Sequence, residues 1–171
     1  TCGLGLNGAM ASAINVLDDV HGGAGEQCLG LYRQALSAAS VAGFEAGVQR
    51  ALADQVAAHG PIIPGFGHRF HAVDPRAVRL LELVEAARQE GTVAGEHARV
   101  GRAIETSLGA RRGKPVPMNI DGATAVVYGE LGFEPPLARG LFILSRSVGI
   151  LAHAWEQSSQ AHRIKGPMPP E

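Results

Sequence analysis

The amino-acid sequence predicts an all-α fold, on three observations. Aromatic residues are only 5 % of the 171, and β-branched residues seldom alternate with polar ones, so the period-2 signature of strands is scarce. Apolar residues recur instead at spacings of three and four, which places them on one face of a helix. The segments so marked are bounded by the Asp, Pro and Gly residues that start and stop helices.

Taken in order, the chain opens at Thr1 without an initiator methionine, and its first residues have the character of the middle of a folded element. It is therefore expected to be a processed or truncated piece of something longer. A helix is expected over most of Gln27 to Ser40. The next is marked by Phe44, Val48, Leu52 and Val56, four residues apart. Asp74-Pro75 opens another, because the carboxylate caps free N–H groups and proline costs nothing in a first turn. That helix carries Val78, Leu81 and Glu85 down one side and is expected to stop near Gly91. His97, Val100, Ile104 and Leu108 define a further one. A shorter helix runs from about Gly122 to Leu131, closed by Gly132 in a left-handed C-terminal position. The longest extends from about Pro136 to Gln157 and is nearly all apolar from Leu141 to Ala154. A helix apolar on every side is expected in an interior or an interface. The tail from Gly166 to Glu171 should be extended or mobile.

Composition removes several function classes. Lys and Arg number 15 against 16 Asp and Glu, a net charge of -1, which is no basis for tracking nucleic-acid phosphates. With 46 % hydrophobic and 18 % charged residues, intrinsic disorder is not expected. Cys2 and Cys28 are the two cysteines, with no spacing for a disulfide scaffold or a zinc site. No uninterrupted apolar run reaches the roughly 18 to 20 residues of a membrane span, and no basic-then-apolar secretory leader is expected. The expectation is a soluble, cytoplasmic globular protein.

Two connecting segments change composition abruptly. Gly60 to Asp74 holds two prolines, three glycines and two histidines, and Gly109 to Asp121 turns from basic to proline-rich. Loops of this kind carry chemistry on a rigid scaffold. Gly3-Leu4-Gly5-Leu6-Asn7-Gly8 has a dinucleotide-like glycine pattern but lacks the preceding strand that mechanism needs. His21 stands beside Gly22 and Gly23, either as a turn residue or as a group reachable by a ligand. Gly65-Phe66-Gly67-His68-Arg69 places an imidazole and a guanidinium on a glycine-hinged loop, with Arg76 seven residues on. Asn119-Ile120-Asp121 is either a helix cap or the seat of a catalytic carboxylate. Arg146, between Ser145 and Ser147 in the apolar helix, is expected to be buried. A buried guanidinium requires an anion, supplied by Glu156 or by the acid group of a substrate.

Together these segments resemble the citrate synthase superfamily, which includes the citrate synthases and citryl-CoA lyases. The resemblance rests on Val20-His21-Gly22-Gly23-Ala24, on Ile63-Pro64-Gly65-Phe66-Gly67-His68-Arg69 with Asp74-Pro75-Arg76, on Asn119-Ile120-Asp121, and on Leu141 to Gly149 followed by Ala152-His153. It covers about Leu4 to Pro167. It implies an all-helical homodimeric enzyme with a cleft between two domains: residues 23–132 as the small domain, flanked by large-domain segments 1–22 and 133–171. It further implies that Asp121 removes a methyl proton from acetyl-CoA, that His21 hydrogen-bonds the thioester oxygen, and that His68 binds and protonates the carbonyl of oxaloacetate. Arg76 and Arg146 would hold the dicarboxylate, with Arg69 assisting there or near coenzyme A. CoA enters as a substrate, and no tightly bound cofactor or metal is implied.

The sequence departs from the family pattern in three places, one being that the N-terminal large-domain helices the resemblance leads one to expect are not in this sequence. The loop from His68 to Asp74 is one residue short. Gly166 stands before Pro167 where the family has an arginine that reaches the partner subunit's site, with Arg163 or Lys165 as nearby substitutes. A non-catalytic or truncated dimerising helical module is the alternative expectation.

Overall fold

The computed structural model describes residues 3–160. The expectations placed on Cys2, Arg163, Lys165, Gly166 and the C-terminal tail fall outside the described residues. Seven helices follow one another: α1 (Leu6–Asn15), α2 (Ala24–Ala42), α3 (Phe44–His59), α4 (Pro75–Gln89), α5 (Glu96–Arg112), α6 (Ile120–Glu130) and α7 (Pro135–Ser159). Among the described residues the only β features are two isolated bridges, Asp18 with Gly22 and Phe66 with Met118.

The core forms around α2, which packs against α3, α5, α6 and α7. It buries Cys28, Leu29, Leu31, Tyr32 and Ala35, one continuous face at helical spacing. From α3 come Val48, Ala51 and Leu52, and from α5 Val100, Ile104 and Leu108, the rows expected from the sequence. Tyr32 sits fully buried at the centre, and its hydroxyl donates to the carbonyl of Gly122 at 3.3 Å. That bond joins the core directly to the first turn of α6. α5 starts on a borrowed cap: the Glu130 carboxylate of α6 accepts from the N–H groups of Gly95, His97 and Ala98. Glu130 thus satisfies donors that a helix start leaves free.

Two helices differ from the plain sequence pattern. α4 buries Ala77 and Val84, whereas Val78 and Glu85 are exposed and Leu81 is only partly covered. The inward row is rotated by one residue on α4, which packs against α6. The second is α7, whose one buried residue is Ala138. α1 and α2 cover one side of it, while Leu137, Leu144, Val148, Leu151 and Trp155 form an exposed stripe on the other. Of the two places expected for such a helix, an interior and an interface, the interior is not the one it takes. By length and composition alone α7 meets the measure of a bilayer-crossing helix, but Arg139 and Arg146 lie within it, and arginine at such a position is costly in hydrocarbon.

Candidate functional site

The two unusual loops are stitched together beneath the start of α6. Gly67 N–H donates to the carbonyl of Pro117 at 2.7 Å and Asn119 N–H to that of Gly65 at 2.9 Å, while the Asn119 side-chain amide donates to the carbonyl of Gly67 at 2.8 Å. The loop backbone crosses α6 so closely that a Cβ on Gly122 would lie 2.3 Å from the Gly65 oxygen. A Cβ on Gly65, itself at φ +86, would lie 2.5 Å from Cys28 Sγ. Only glycine permits that approach. Asn119 Oδ1 then accepts from the N–H groups of Asp121 and Gly122 at 2.9 and 3.2 Å, so Asn119 is the cap of α6 as expected.

This construction sets Asp121 in the first turn of α6, on the wall of a cavity of about 370 Å³. His21, Arg76, Phe142 and Arg146 share that wall, with Thr124 and Tyr128 further along α6. Four of the six residues singled out from sequence therefore meet around one space, although they come from four separate stretches of chain. Burial raises the Asp121 carboxyl above its ordinary range, against the lowering influence of Arg76 and His21; the nearby Asp74 charge adds to the rise. A carboxylate so raised is a better proton acceptor than one in water. Phe142 joins two of the other groups: its ring meets His21 edge-on at 6.0 Å, and the Arg146 guanidinium lies 5.4 Å from its centroid.

His68 and Arg69 are not on this wall. His68 Nδ1 accepts from the N–H groups of Phe70 and His71 at 3.0 and 3.1 Å. Nδ1 thus carries no hydrogen, and Nε2 holds the ring's N–H. Nε2 is 3.9 Å from Asp74 Oδ2, and Asp74 in turn holds Arg76, so His68 adjoins the cavity's edge through that pair. Arg69 is exposed on the loop.

Neither cavity arginine is desolvated. Arg146 is exposed on α7, because its helix lies at the surface. Glu156, one of the two anions considered for it, instead faces His153 at 3.7 Å. Arg76 is also largely exposed, and its Nε and Nη2 both donate to Asp74. Most of its fork is committed within the chain, leaving Nη1 as the nitrogen without a partner in the pair.

Two further groups shape the site without having been singled out by sequence reasoning. Arg139, on α7, binds Asp18 at 2.7 Å together with Asp19 and Glu26, clasping the turn that carries His21 to the start of α2. The adjacent acidic pair just before His21 was the available signal. Asp74, legible in the sequence as the cap of α4, is the second. A larger groove of about 540 Å³ lies between α4 and α5, but none of the six predicted site residues lines it. Among the described residues no group of three or more His, Cys, Asp or Glu side chains is arranged to hold a metal ion.

Helical architecture and motif order define the class. Residues 3–167 match the family model described as "Citrate synthase, C-terminal domain", and the chain belongs to that family. Among curated relatives it is 32 % identical over 155 residues to the citrate synthase of Heyndrickxia coagulans, covering 89 % of this chain and 39 % of that protein. Among solved structures it is similar to citryl-CoA lyase from Hydrogenobacter thermophilus, with a TM-score of 0.74 at 28 % identity, over 99 % of this chain and 67 % of that one. It is also similar to citrate synthase from Thermotoga maritima MSB8, with a TM-score of 0.64 at 26 % identity, over 95 % and 44 % of the two chains. The chain thus spans well under half the length of that curated relative.

Proposed function

We propose that the chain serves an enzyme that forms or cleaves the carbon–carbon bond between acetyl-CoA and oxaloacetate, as a citrate synthase or a citryl-CoA lyase. The observation that carries this reading is the meeting of Asp121, His21, Arg76 and Arg146 around one cavity, with Asp121 desolvated.

The chemistry asks for such a set. A thioester α-proton is far less acidic than a carboxylic acid of pKa about 4, so Asp121 cannot by itself produce a free enolate. A donor on the developing oxygen must share the charge, and one such donor is typically worth about 10²- to 10³-fold in rate. His21 fills that role, since an imidazole can donate without being a full acid. His68 offers its Nε2–H to the ketone of oxaloacetate. Arg146 and the free side of Arg76 meet the dicarboxylate, with Arg69 at the loop's outer face. In the cleavage direction the same groups act in reverse, and Asp121 returns the proton to carbon. Closure of residues 23–132 over segments 1–22 and 133–171 would expel water and align the reacting carbons. CoA takes part as a substrate, the reading calls for no tightly bound cofactor or metal, and a homodimer in the cytoplasm is its assembly and setting.

The test is thiol release from acetyl-CoA with oxaloacetate, run beside cleavage of citryl-CoA, for the wild type and Asp121→Asn. The variant is expected to lose turnover by about 10³-fold or more while still binding oxaloacetate, because the arginines remain. Near-normal turnover would refute the base. A wild type that binds both substrates and turns over neither would replace this reading with the dimerising helical module.

A further inference from the structure

Among the described residues, Asp74 is the one charged residue that is almost wholly buried, 1 % exposed. An ionised carboxylate in that position is costly unless its lone pairs are met. They are: Oδ1 accepts from Arg76 N–H at 3.1 Å and Arg76 Nε at 3.0 Å, and Oδ2 accepts from Arg76 Nη2 at 2.9 Å and Ile120 N–H at 3.0 Å. Capping α4 requires only the first of these. The guanidinium bonds fix a group on the cavity wall, and the Ile120 bond reaches 46 residues along the chain to the first residue of α6, next to Asp121. His68 Nε2 stands 3.9 Å from the same Oδ2.

We propose that Asp74 is the positioning residue of the site, one buried carboxylate that sets the Arg76 guanidinium, the start of α6 beside Asp121, and the ring of His68 relative to one another. This rests on the reading that those groups serve a thioester and a dicarboxylate. The Arg76 donors and the Ile120 N–H hold the Asp74 carboxyl down at about 2, so it is ionised throughout the working range. A purely electrostatic role and a positioning role then differ in sign. Asp74 puts a negative charge beside a site for a dianion, so by charge alone its removal tightens dicarboxylate binding. By positioning, its removal frees Arg76 and loosens binding.

The experiment compares the full chain with Asp74→Asn, which keeps the shape and removes the charge. Oxaloacetate binding is measured by calorimetry, and the Arg76 Nε–H and His68 ring nitrogens are followed by NMR in the ligand-free protein. Binding is expected to weaken on the order of 10- to 100-fold, with both sets of resonances displaced. Equal or tighter binding, or unmoved resonances, overturns the proposal. If the wild type binds no oxaloacetate but Asp74→Asn still displaces both resonances, the functional reading fails and the positioning role stands. Should Asp74→Asn fail to fold, the unaltered chain decides: Arg76 Nε–H should exchange with solvent about tenfold more slowly than that of exposed Arg69, and equal exchange overturns the proposal.

Discussion

α2 and α7 are the two longest helices, and both are rich in apolar residues, yet they are buried to opposite degrees. α2 is enclosed by α3, α5, α6 and α7 and buries five side chains, while α7 rests on α1 and α2 and buries Ala138 alone. The difference shows that burial is a property of neighbours, not of composition. The site follows the same division. Asp121 stands on α6, anchored into the core by Tyr32, and its carboxyl is raised by desolvation. Arg146 stands on α7 and is exposed.

Substitutions can break or sharpen that contrast. The largest effect is expected in the enclosed region: Leu52→Ala should lower unfolding free energy by about 2–5 kcal/mol, measured by urea denaturation, because Leu52 is fully buried between α2 and α3 neighbours. A smaller effect involves His97, half-buried against Glu130, where burial lowers the imidazole pKa more than the neighbouring carboxylate raises it. The unfolded chain then binds a proton at higher pH than the folded one. This group's contribution to stability is complete above the unfolded value of about 6.5 and is lost as pH falls below it toward the lowered folded pKa. Denaturation at several pH values should show that decline, and His97→Gln should flatten it. An unchanged slope would mean that the lost proton affinity resides elsewhere. The smallest effect is expected on the outer stripe of α7, where Leu144→Ala should change stability by no more than about 0.5 kcal/mol. A loss as large as that of Leu52→Ala would show that the stripe is covered in solution.

Much of this was legible in the chain. The rows Val48–Leu52 and Val100–Ile104–Leu108 were visible because a single periodicity decides them, and Asp74-Pro75 announced α4 through cap chemistry that acts within a few residues. Motif order exposed His21, Asp121, Arg76 and Arg146, which the fold brings to one cavity. What remained hidden depends on contacts distant in sequence. Ala77 faces inward in place of Val78 on a helix packed against α6, and Glu130 caps a helix more than thirty residues earlier. The exposure of Arg146 was misjudged because an apolar neighbourhood in sequence was equated with one in space. Asp74 looked local until its bond to Ile120 was seen.

The most direct measurement of the account is loss of the methyl protons of acetyl-CoA to D2O, in the presence of malate, a dicarboxylate that lacks the reactive ketone. It isolates proton removal from carbon–carbon bond making and from the direction of the overall reaction. The wild type should exchange those protons, and Asp121→Asn should slow the exchange by about 10³-fold. Exchange at the wild-type rate in the variant would contradict the assignment of Asp121 as the base.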